Sequence, residues 1–326
     1  MARPSGLPVK PNYPRTMGMA LVIGLLAGLG ASLLQDWADQ RMRSVEEIQA
    51  VLDLTVLGIV PHMIGKHPPA ERGQEVHLRP RSNVAEAYRT IRTAIFFGVA
   101  DLKNKTLLVT SPSPGDGKTT MASNLAVAIA QSGRRVLLID ADMRKPMQHR
   151  IFNLKDEVGL SSVLLGQSKL EQSIQRTAIE NFDVLPCGPL PPNPSEILNS
   201  QQFLDMVNLL CLRYDQVVID SPPVEPVTDA RILAASCDVT VLVLRAEKST
   251  RRLSAHARDA LIGVGANLLG CVVNDVPRGR EGYSYYSGYG YYHYGYTYGS
   301  HNGGSSSSSS GRKEIKAITV ASGEEA

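Results

Sequence analysis

One group of residues in this 326-residue chain combines a phosphate-binding loop with three acidic side chains. The loop is VTSPSPGDGKTT, residues 109–120, in which Lys118 and Thr119 close a glycine-containing turn. Backbone N–H groups of such a loop, together with the N-terminus of the following helix, favour phosphate oxygens. In this pattern Lys118 would reach the β- and γ-phosphates, and the Thr119 hydroxyl would hold Mg²⁺. A glycine-rich turn with a chance lysine is the alternative, but the strand–loop–helix context favours phosphate binding.

The three carboxylates follow apolar runs that have the character of buried strands. Asp140, Asp142 and Arg144 come after VLLI, and Asp220 comes after VVI. Ligands bind at the carboxyl ends of parallel strands. Carboxylates beside a phosphate loop repel a nucleotide unless Mg²⁺ lies between them. Aspartates also cap turns after strands, but three of them next to a phosphate loop favour a functional site.

Strand and helix patterns alternate from residue 106 onward, which predicts an α/β fold with a mostly parallel central sheet and helices on both faces. The predicted strands are 106–110, 135–139, 182–185, 216–219, 239–244 and 268–273. The predicted helices are near 119–131, 195–212, 228–235 and 249–264. We place this domain at residues 81–278.

The N-terminal part predicts a membrane anchor. Residues 1–16 are proline-rich and predict neither helix nor sheet, whereas residues 17–34 run without a charge, close to the lower limit for a membrane-spanning helix. A cleaved signal peptide and a buried core helix are the alternatives. Residues 35–80 predict a juxtamembrane connector, with a short helix opening at Ser44, an extended piece at 57–61 and a polar linker at 67–80.

A helix is predicted at residues 83–97, begun by Asn83 with Glu86 in a capping-box-like arrangement. Its apolar stripe is Tyr88, Ile91 and Ile95. A second face carries charges three residues apart, namely Glu86, Arg89 and Arg92. Without further information that face is a solvated surface with one Glu–Arg pair.

Composition excludes several classes of protein. A formal net charge of +3 and a pI of about 8.6 are too mild to indicate nucleic-acid binding. The four cysteines lie far apart without a metal-type pairing, so we expect buried free thiols in a reducing compartment.

The C-terminal stretch is unusual because nine of the twelve tyrosines fall between residues 283 and 298. Interleaved glycines and few aliphatic residues predict no packed core at 279–299, and a Gly/Ser-rich, charged and disordered tail is predicted at 300–326. An adhesive low-complexity tail and a base-stacking platform are alternatives, although the latter lacks a basic groove. The sharper interpretation is a flexible array of phosphorylatable hydroxyls tethered to a nucleotide site.

Together these features resemble the bacterial tyrosine kinases (BY-kinases) of exopolysaccharide synthesis and export, which are relatives of deviant-Walker partition ATPases. Residues 111–120 are similar to that family's Walker A motif, although Pro112 stands where the general pattern has glycine. The segment Asp140-Ala-Asp142-Met-Arg144 resembles Walker A′, and Asp220-Ser-Pro-Pro resembles Walker B. Residues 185–198 also look family-like. The charged helix face matches an ExxRxxR motif through which related kinases pack into a ring.

The resemblance implies an ATP- and Mg²⁺-dependent protein-tyrosine autokinase that phosphorylates its tyrosine cluster in trans. Mg²⁺ would be held by Thr119, Asp142 and Asp220, and Asp140 would take the proton of the incoming tyrosine. The implied nucleotide-binding residues are Pro114, Gly115, Asp116, Gly117, Lys118, Thr119, Thr120, Arg144, which pairs phosphate charge, and Asn274, which touches adenine. The implied phosphoacceptors are Tyr283, Tyr285, Tyr286, Tyr289, Tyr291, Tyr292, Tyr294, Tyr296 and Tyr298.

The implied partners are further copies in a ring, a protein-tyrosine phosphatase, the polysaccharide polymerase and export machinery and a separate chain-length regulator, but no nucleic acid. The implied location is the bacterial inner membrane, crossed once, with the kinase domain in the cytoplasm. The chain departs from that family's pattern in two ways. An earlier membrane helix with an extracytoplasmic domain is missing, so we expect a split or truncated arrangement or an upstream start. The signature lysine of partition ATPases is also missing from 111–116. A membrane-tethered partition-type ATPase and a non-catalytic scaffold of an export complex are the alternative functions.

Overall fold

One eight-stranded sheet organises the part of the chain that the structure, a computed structural model, describes, namely residues 13–65, 67–99 and 105–277. The strands run in the order β1-β8-β7-β2-β6-β3-β5-β4, and every neighbouring pair is parallel except β4 with β5. This confirms the predicted mostly parallel sheet. The strands are β1 Val56–Pro61, β2 Thr106–Thr110, β3 Val136–Asp140, β4 Gln175–Arg176, β5 Phe182–Leu185, β6 Gln216–Asp220, β7 Val239–Arg245 and β8 Leu268–Val276.

Helices cover both faces of this sheet, as predicted. Because successive strand residues point to opposite faces, Leu107 packs in one core with Tyr88, while Leu108 packs in the other with Phe203. Burial on both faces explains why the central strands are continuously apolar. The helices are α1 Tyr13–Ala38, α2 Val45–Leu52, α3 Pro69–Gly73, α4 Glu75–Leu78, α5 Asn83–Gly98, α6 Lys118–Ala130, α7 Gln148–Ile151, α8 Leu160–Leu164, α9 Leu170–Ser173, α10 Pro194–Leu198, α11 Gln201–Arg213, α12 Asp229–Ser236 and α13 Arg251–Gly263.

The N-terminal helix α1 is longer than predicted at both ends. The prediction of no helix before residue 17 is wrong for residues 13–16, because proline is tolerated in the first turn of a helix, where its missing N–H costs no hydrogen bond. Within α1, Arg15–Gln35 is long and apolar enough to cross a membrane, with a mean hydropathy of 2.1. None of that apolar window is buried in the described structure, which argues against the buried core helix.

The segment expected to form a juxtamembrane connector is largely part of the folded domain. Strand β1 pairs in parallel with β8 at the edge of the sheet, and α2 buries Ile48 in the core. The region predicted as a polar linker contains α3 and α4, which are held by Asn124 of α6. The Asn124 side chain donates to the Arg72 carbonyl (2.7 Å) and accepts from the Val76 N–H (3.0 Å). Apolar runs that are short in sequence are therefore buried by distant partners.

Two local predictions about helix ends are wrong. The N-cap of α5 is Ser82 rather than Asn83, since the Ser82 hydroxyl accepts from the Ala85 N–H at 3.1 Å. The predicted helix at 195–212 is divided into α10 and α11, and the Ser200 side chain caps α11. The apolar stripe of α5 is confirmed, because Tyr88, Ile91 and Ile95 are buried.

The remaining boundaries differ from the predictions by a few residues. Strand β3 begins one residue later than predicted and, like β6, ends one residue later, so Asp140 and Asp220 are the final residues of their strands. The cysteines are free thiols. Cys187 and Cys271 are buried as expected, whereas Cys211 and Cys237 are half-buried.

Candidate active site

The phosphate loop between β2 and α6 requires a glycine immediately before α6 begins. Gly115 and Gly117 have φ of +83° and +99°, in the left-handed region that favours glycine. A Cβ on Gly117 would lie only 2.0 Å from Nδ2 of Asn274. That amide donates to the Asp116 carbonyl at 3.0 Å, so Asn274 links β8 to the backbone of the loop.

Asp116 supports the loop from within. Its Oδ2 accepts from the Ser113 N–H at 3.0 Å. Burial raises the pKa of Asp116 to about 6, although the Ser113 N–H and the nearby Lys248 oppose the shift. The variant start of the loop runs beside the segment after β6, where the Pro112 carbonyl accepts from the Glu225 N–H at 3.4 Å.

Lys118 lies among the carboxylates at the first turn of α6. Its Nζ is 2.7 Å from Oδ2 of Asp142 and 3.9 Å from Oδ1 of Asp220. It also donates to the Thr119 hydroxyl at 3.2 Å, which in turn donates to Oδ1 of Asp220 at 3.4 Å. Burial alone would lower the pKa of Lys118, but Asp220 and Asp142 outweigh burial and raise it. Lys118 therefore carries its charge into the site.

Asp140 and Asp220 face each other across adjacent strands, and one residue contacts both. They are register partners in the β3–β6 pair. The backbone N–H of Gln148 donates to Oδ2 of Asp140 (2.9 Å), and its side-chain Nε2 donates to Oδ2 of Asp220 (2.9 Å). The Met147 N–H also donates to Asp140, at 3.0 Å. Sequence reasoning missed Gln148, since no spacing rule connects it to either strand.

Both facing carboxyls have raised pKa values, mainly because they are buried. Burial raises the pKa of Asp220 to about 6, and Lys118 limits the shift. For Asp140, burial and the neighbouring Asp220 hold the pKa well above its ordinary value. Among the described residues, Oδ1 of Asp140 has no hydrogen-bond partner. Such a carboxyl is a weaker acid, hence a better proton acceptor, than an exposed aspartate.

Arg144, the predicted phosphate contact, forms an ion pair with a buried carboxylate. Its Nε and Nη2 donate to the buried carboxylate of Asp229 at 2.8 and 3.1 Å. Asp229 also accepts from the Ser195 hydroxyl at 2.5 Å. Burial opposes ionisation of Asp229, but Arg144 and Ser195 lower its pKa. The guanidinium thus pairs with Asp229, a contact that sequence reasoning missed because residues 144 and 229 are distant in sequence.

A cavity of about 290 Å³ opens beside the loop. Asn274 lines it together with the N-terminal end of α6. Another wall comes from the segment predicted as a connector, which the sequence did not associate with the site. The lining residues are Pro61, Met63, His67, Pro69, Arg72, Gly115, Gly117, Lys118, Thr119, Thr120, Arg245, Asn274 and Asp275.

The oxygens around Lys118 suit a hard cation. Asp142 and Asp220 offer carboxylates and Thr119 offers a hydroxyl, all within 3.9 Å of Lys118 Nζ, and Mg²⁺ prefers oxygen ligands. No group of three or more His, Cys, Asp or Glu side chains in the described residues could hold a metal ion. Two carboxylates and a hydroxyl contributed by the protein fit Mg²⁺, which commonly keeps waters and takes substrate phosphates as its other ligands.

The other predicted residues divide into three groups. Pro114 and Thr120 belong to the loop and the first turn of α6. On α5, Glu86 pairs with Arg89 at 2.8 Å, whereas Arg92 donates to the Ala128 carbonyl at 2.8 Å. All nine predicted phosphoacceptors, between residues 283 and 298, lie outside the described residues.

A parallel sheet that carries a phosphate loop and acidic strand ends at its carboxyl edge defines a P-loop nucleotide-binding domain. Residues 104–254 match a protein-family profile described as an AAA domain. The chain is 45% identical over 213 residues to tyrosine-protein kinase YwqD of Bacillus subtilis, covering 65% of this chain and 88% of that one. It is 42% identical over 215 residues to the putative tyrosine-protein kinase CapB of Staphylococcus aureus, covering 66% and 94%.

Solved structures agree. The kinase domain of Escherichia coli tyrosine kinase ETK superposes with a TM-score of 0.64 at 31% identity, covering 70% of this chain and 94% of that one. The chain belongs to the bacterial tyrosine-protein kinase family. It spans 41% of the longer relative named tyrosine-protein kinase etk, also of Escherichia coli, at 31% identity over 296 residues. These relatives do not favour the partition-type ATPase or the scaffold.

Proposed function

We propose that this chain transfers the γ-phosphoryl group of ATP to tyrosines in residues 283–298 of a neighbouring copy within a ring, and thereby regulates exopolysaccharide or capsule synthesis and export. The observation that carries the proposal is the convergence of Lys118, Thr119 and three carboxylates, two at strand ends and one just after a strand, at the carboxyl edge of the sheet. Phosphoryl transfer depends on positioning and charge stabilisation, which this arrangement supplies.

Each side chain has a separate part in nucleotide binding. Lys118 and the loop amides hold the β- and γ-phosphate oxygens, and Asn274 lies toward the nucleoside. Mg²⁺, held by Thr119, Asp142 and Asp220 directly or through water, would neutralise phosphate charge. Lys118, which contacts Asp142 at 2.7 Å, would hold phosphate oxygens instead once nucleotide is bound, and Gln148 would continue to orient Asp220.

Asp140 acts as the general base. Its Oδ2 accepts from two backbone N–H groups, whereas its buried Oδ1 has no hydrogen-bond partner among the described residues and is the oxygen that would take the tyrosine proton. The tyrosine oxygen bonds to the γ-phosphorus, the bond from that phosphorus to the β–γ bridging oxygen breaks, and the hydroxyl proton passes to Asp140. A base is needed because the pKa of tyrosine is about 10, so phenolate is scarce at neutral pH.

Geometry supports a tail that works at this edge of the sheet. Strand β8 ends at the carboxyl edge, four strand positions from β3, or about 19 Å at about 4.8 Å per strand. Tyr283 is six residues beyond Pro277, a reach of at most about 21 Å, and later tyrosines reach further. That reach is calculated within one chain. We propose that α5 packs copies into a ring through Glu86, Arg89 and Arg92, in which a neighbour's tail would meet the same carboxyl edge.

Phosphate on the tail would reverse the assembly. Each phosphotyrosine carries about −1.5 to −2 charges, which repel the acidic strand ends and other tails. The ring then loosens until a protein-tyrosine phosphatase resets it. We further propose that α1 crosses the bacterial inner membrane once, with the kinase domain in the cytoplasm, where the chain meets the polymerase and export machinery and a separate chain-length regulator. The apolar, unburied Arg15–Gln35 window supports the anchor.

Incubation of the purified chain with ATP and Mg²⁺, followed by mass measurement and phosphotyrosine blotting, tests the function. We expect phosphate within residues 283–298 of the wild type and none with Lys118→Met. Lys155→Met, an exposed lysine away from the loop, is the matched control and keeps wild-type phosphorylation. ATP hydrolysis without phosphotyrosine would favour a partition-type ATPase, and unchanged phosphate with Lys118→Met would overturn the proposal.

A further inference from the structure

A proline-rich loop beside the catalytic base exposes an apolar surface. This segment, here called the proline loop, comprises residues 186–195 with the sequence PCGPLPPNPS; it follows β5 and includes the first two residues of α10. In the β3–β5 pair, Ile139 is the register partner of Leu185, so the loop leaves the sheet next to Asp140. Leu190 is 60% exposed, and Pro189 and Pro192 are also exposed, whereas Pro191 between Leu190 and Pro192 is buried.

The first end of the proline loop is rigidly held. The Pro186 and Cys187 carbonyls accept from the N–H groups of Leu160 (2.8 Å) and Ser161 (2.9 Å). The Gly188 N–H donates to Asp156 at 2.8 Å. A Cβ at Gly159, which precedes α8, would lie 2.3 Å from the Pro186 carbonyl oxygen, so the two backbones are in direct contact.

The second end is held by Asp229 at the start of α12 and by Arg144 in the segment that follows β3. Ser195 donates to Asp229, which is also the partner of Arg144. Arg144 Nη2 lies 3.5 Å from the Ser195 hydroxyl as well. The exposed apolar residues therefore lie between two ends that hydrogen bonds hold in place.

The chemistry of this surface matches the tyrosine cluster. Residues 283–298 contain no Asp, Glu, Lys or Arg, so charge cannot guide them to the site. Proline and leucine side chains offer flat apolar contacts to a tyrosine ring, and the ring keeps its hydroxyl free for solvent or a base. Interleaved glycines let successive rings reach such a surface.

We propose that the proline loop is the acceptor-docking surface, on which a tyrosine of residues 283–298 from a second copy packs against Leu190 while a neighbouring hydroxyl meets Asp140. This inference rests on the proposed tyrosine kinase function. It assigns the recognition step to an uncharged surface, separate from the nucleotide-binding residues.

A two-component assay separates the copies. The enzyme copy keeps its active site, but every tyrosine from Tyr283 to Tyr298 is changed to phenylalanine. The acceptor copy carries Lys118→Met and a natural tail. With Leu190→Ser in the enzyme copy, we expect the acceptor concentration for half-maximal phosphorylation to rise roughly tenfold, from the loss of apolar contact. The same change in the acceptor copy should have no effect.

Controls keep each outcome decisive. Leu212→Ser removes a leucine that is 80% exposed on α11 near the start of β6, at the opposite edge of the sheet, and should leave the assay unchanged. Leu190→Met should restore most of the wild-type behaviour. Unaltered thermal unfolding and unaltered binding of a fluorescent ATP analogue show that Leu190→Ser is folded. An unchanged acceptor concentration for half-maximal phosphorylation overturns the inference. An equal effect of Leu190→Ser in either copy assigns Leu190 to a symmetric contact and overturns it as well. Absence of phosphate in every arm contradicts the kinase function itself.

Discussion

Asp140 and Asp220 are paired in register on two adjacent parallel strands, and Gln148 donates a hydrogen bond to each of them. Two buried carboxyls so placed repel each other when both are ionised. The side-chain amide of Gln148 orients Asp220 without adding a charge, and the backbone N–H of Gln148 orients Asp140. This relationship makes Gln148 a positioning residue for both acids.

Replacement of that amide should weaken metal-dependent steps. Gln148→Leu keeps much of the side-chain volume but removes the donor to Asp220. We expect the Mg²⁺ concentration for half-maximal phosphorylation to rise about tenfold or more, as is typical for residues that orient metal ligands. Titration of Mg²⁺ against both phosphotyrosine formation and binding of a fluorescent ATP analogue measures this. The exposed Gln172→Leu on α9 is the control, and equal Mg²⁺ requirements for the two variants would contradict the role.

Asp220 should make the stability of the nucleotide-free protein depend on pH. Because burial raises the pKa of folded Asp220 to about 6, the folded state holds this proton more tightly than the unfolded state. Its contribution is therefore present at low pH and is lost as pH rises from about 4 to about 6. Relative to the wild type, Asp220→Asn should gain stability across that window, by up to roughly 3 kcal/mol, and then remain level.

Denaturant unfolding at several pH values between 4 and 8, without nucleotide, measures this difference. The same measurement on Asp205→Asn, an exposed position on α11, serves as the control. A stability difference between Asp220→Asn and wild type that is the same at every pH would show that the pKa of Asp220 is not raised by folding.

Gly117 should tolerate no side chain, for two separable reasons. Its φ is +99°, and a new Cβ would also lie 2.0 Å from Asn274. Gly133 has a similar φ of +89°, but a Cβ added there would meet nothing within 4 Å, so Gly133→Ala isolates the backbone cost, about 1 kcal/mol or more. We expect Gly117→Ala to be more destabilising than Gly133→Ala and also to abolish binding of a fluorescent ATP analogue. If Gly117→Ala and Gly133→Ala lost the same stability and Gly117→Ala still bound the ATP analogue, close packing of the loop around Gly117 would be contradicted.

The start of α5 offers a direct comparison of two adjacent residues. Ser82 accepts the hydrogen bond that caps the helix, and Asn83 is already helical. Ser82→Ala should cost about 1 kcal/mol of unfolding free energy. Asn83→Ala should cost little, because alanine favours helix interiors. Denaturant unfolding measures both, and a larger loss for Asn83→Ala would identify Asn83 as the capping residue instead.

The sequence by itself determined the phosphate loop, the acidic strand ends and the alternating strands and helices. These features are local: Lys118 follows its loop directly, and Asp140 follows its own apolar strand. Their meeting at one edge follows from the rule that parallel strands align their carboxyl ends. The tyrosine cluster was equally visible as composition.

Only the tertiary structure decided which distant groups contact the site. Val56–Pro61 is a strand because β8 offers an edge for it, and the short apolar run alone was compatible with a connector. Arg144 pairs with Asp229, and Gln148 with Asp220, because helices from separate parts of the chain pack at the carboxyl edge. Hydrogen-bond partners depend on a few ångströms of three-dimensional placement, which residue types and spacing do not encode.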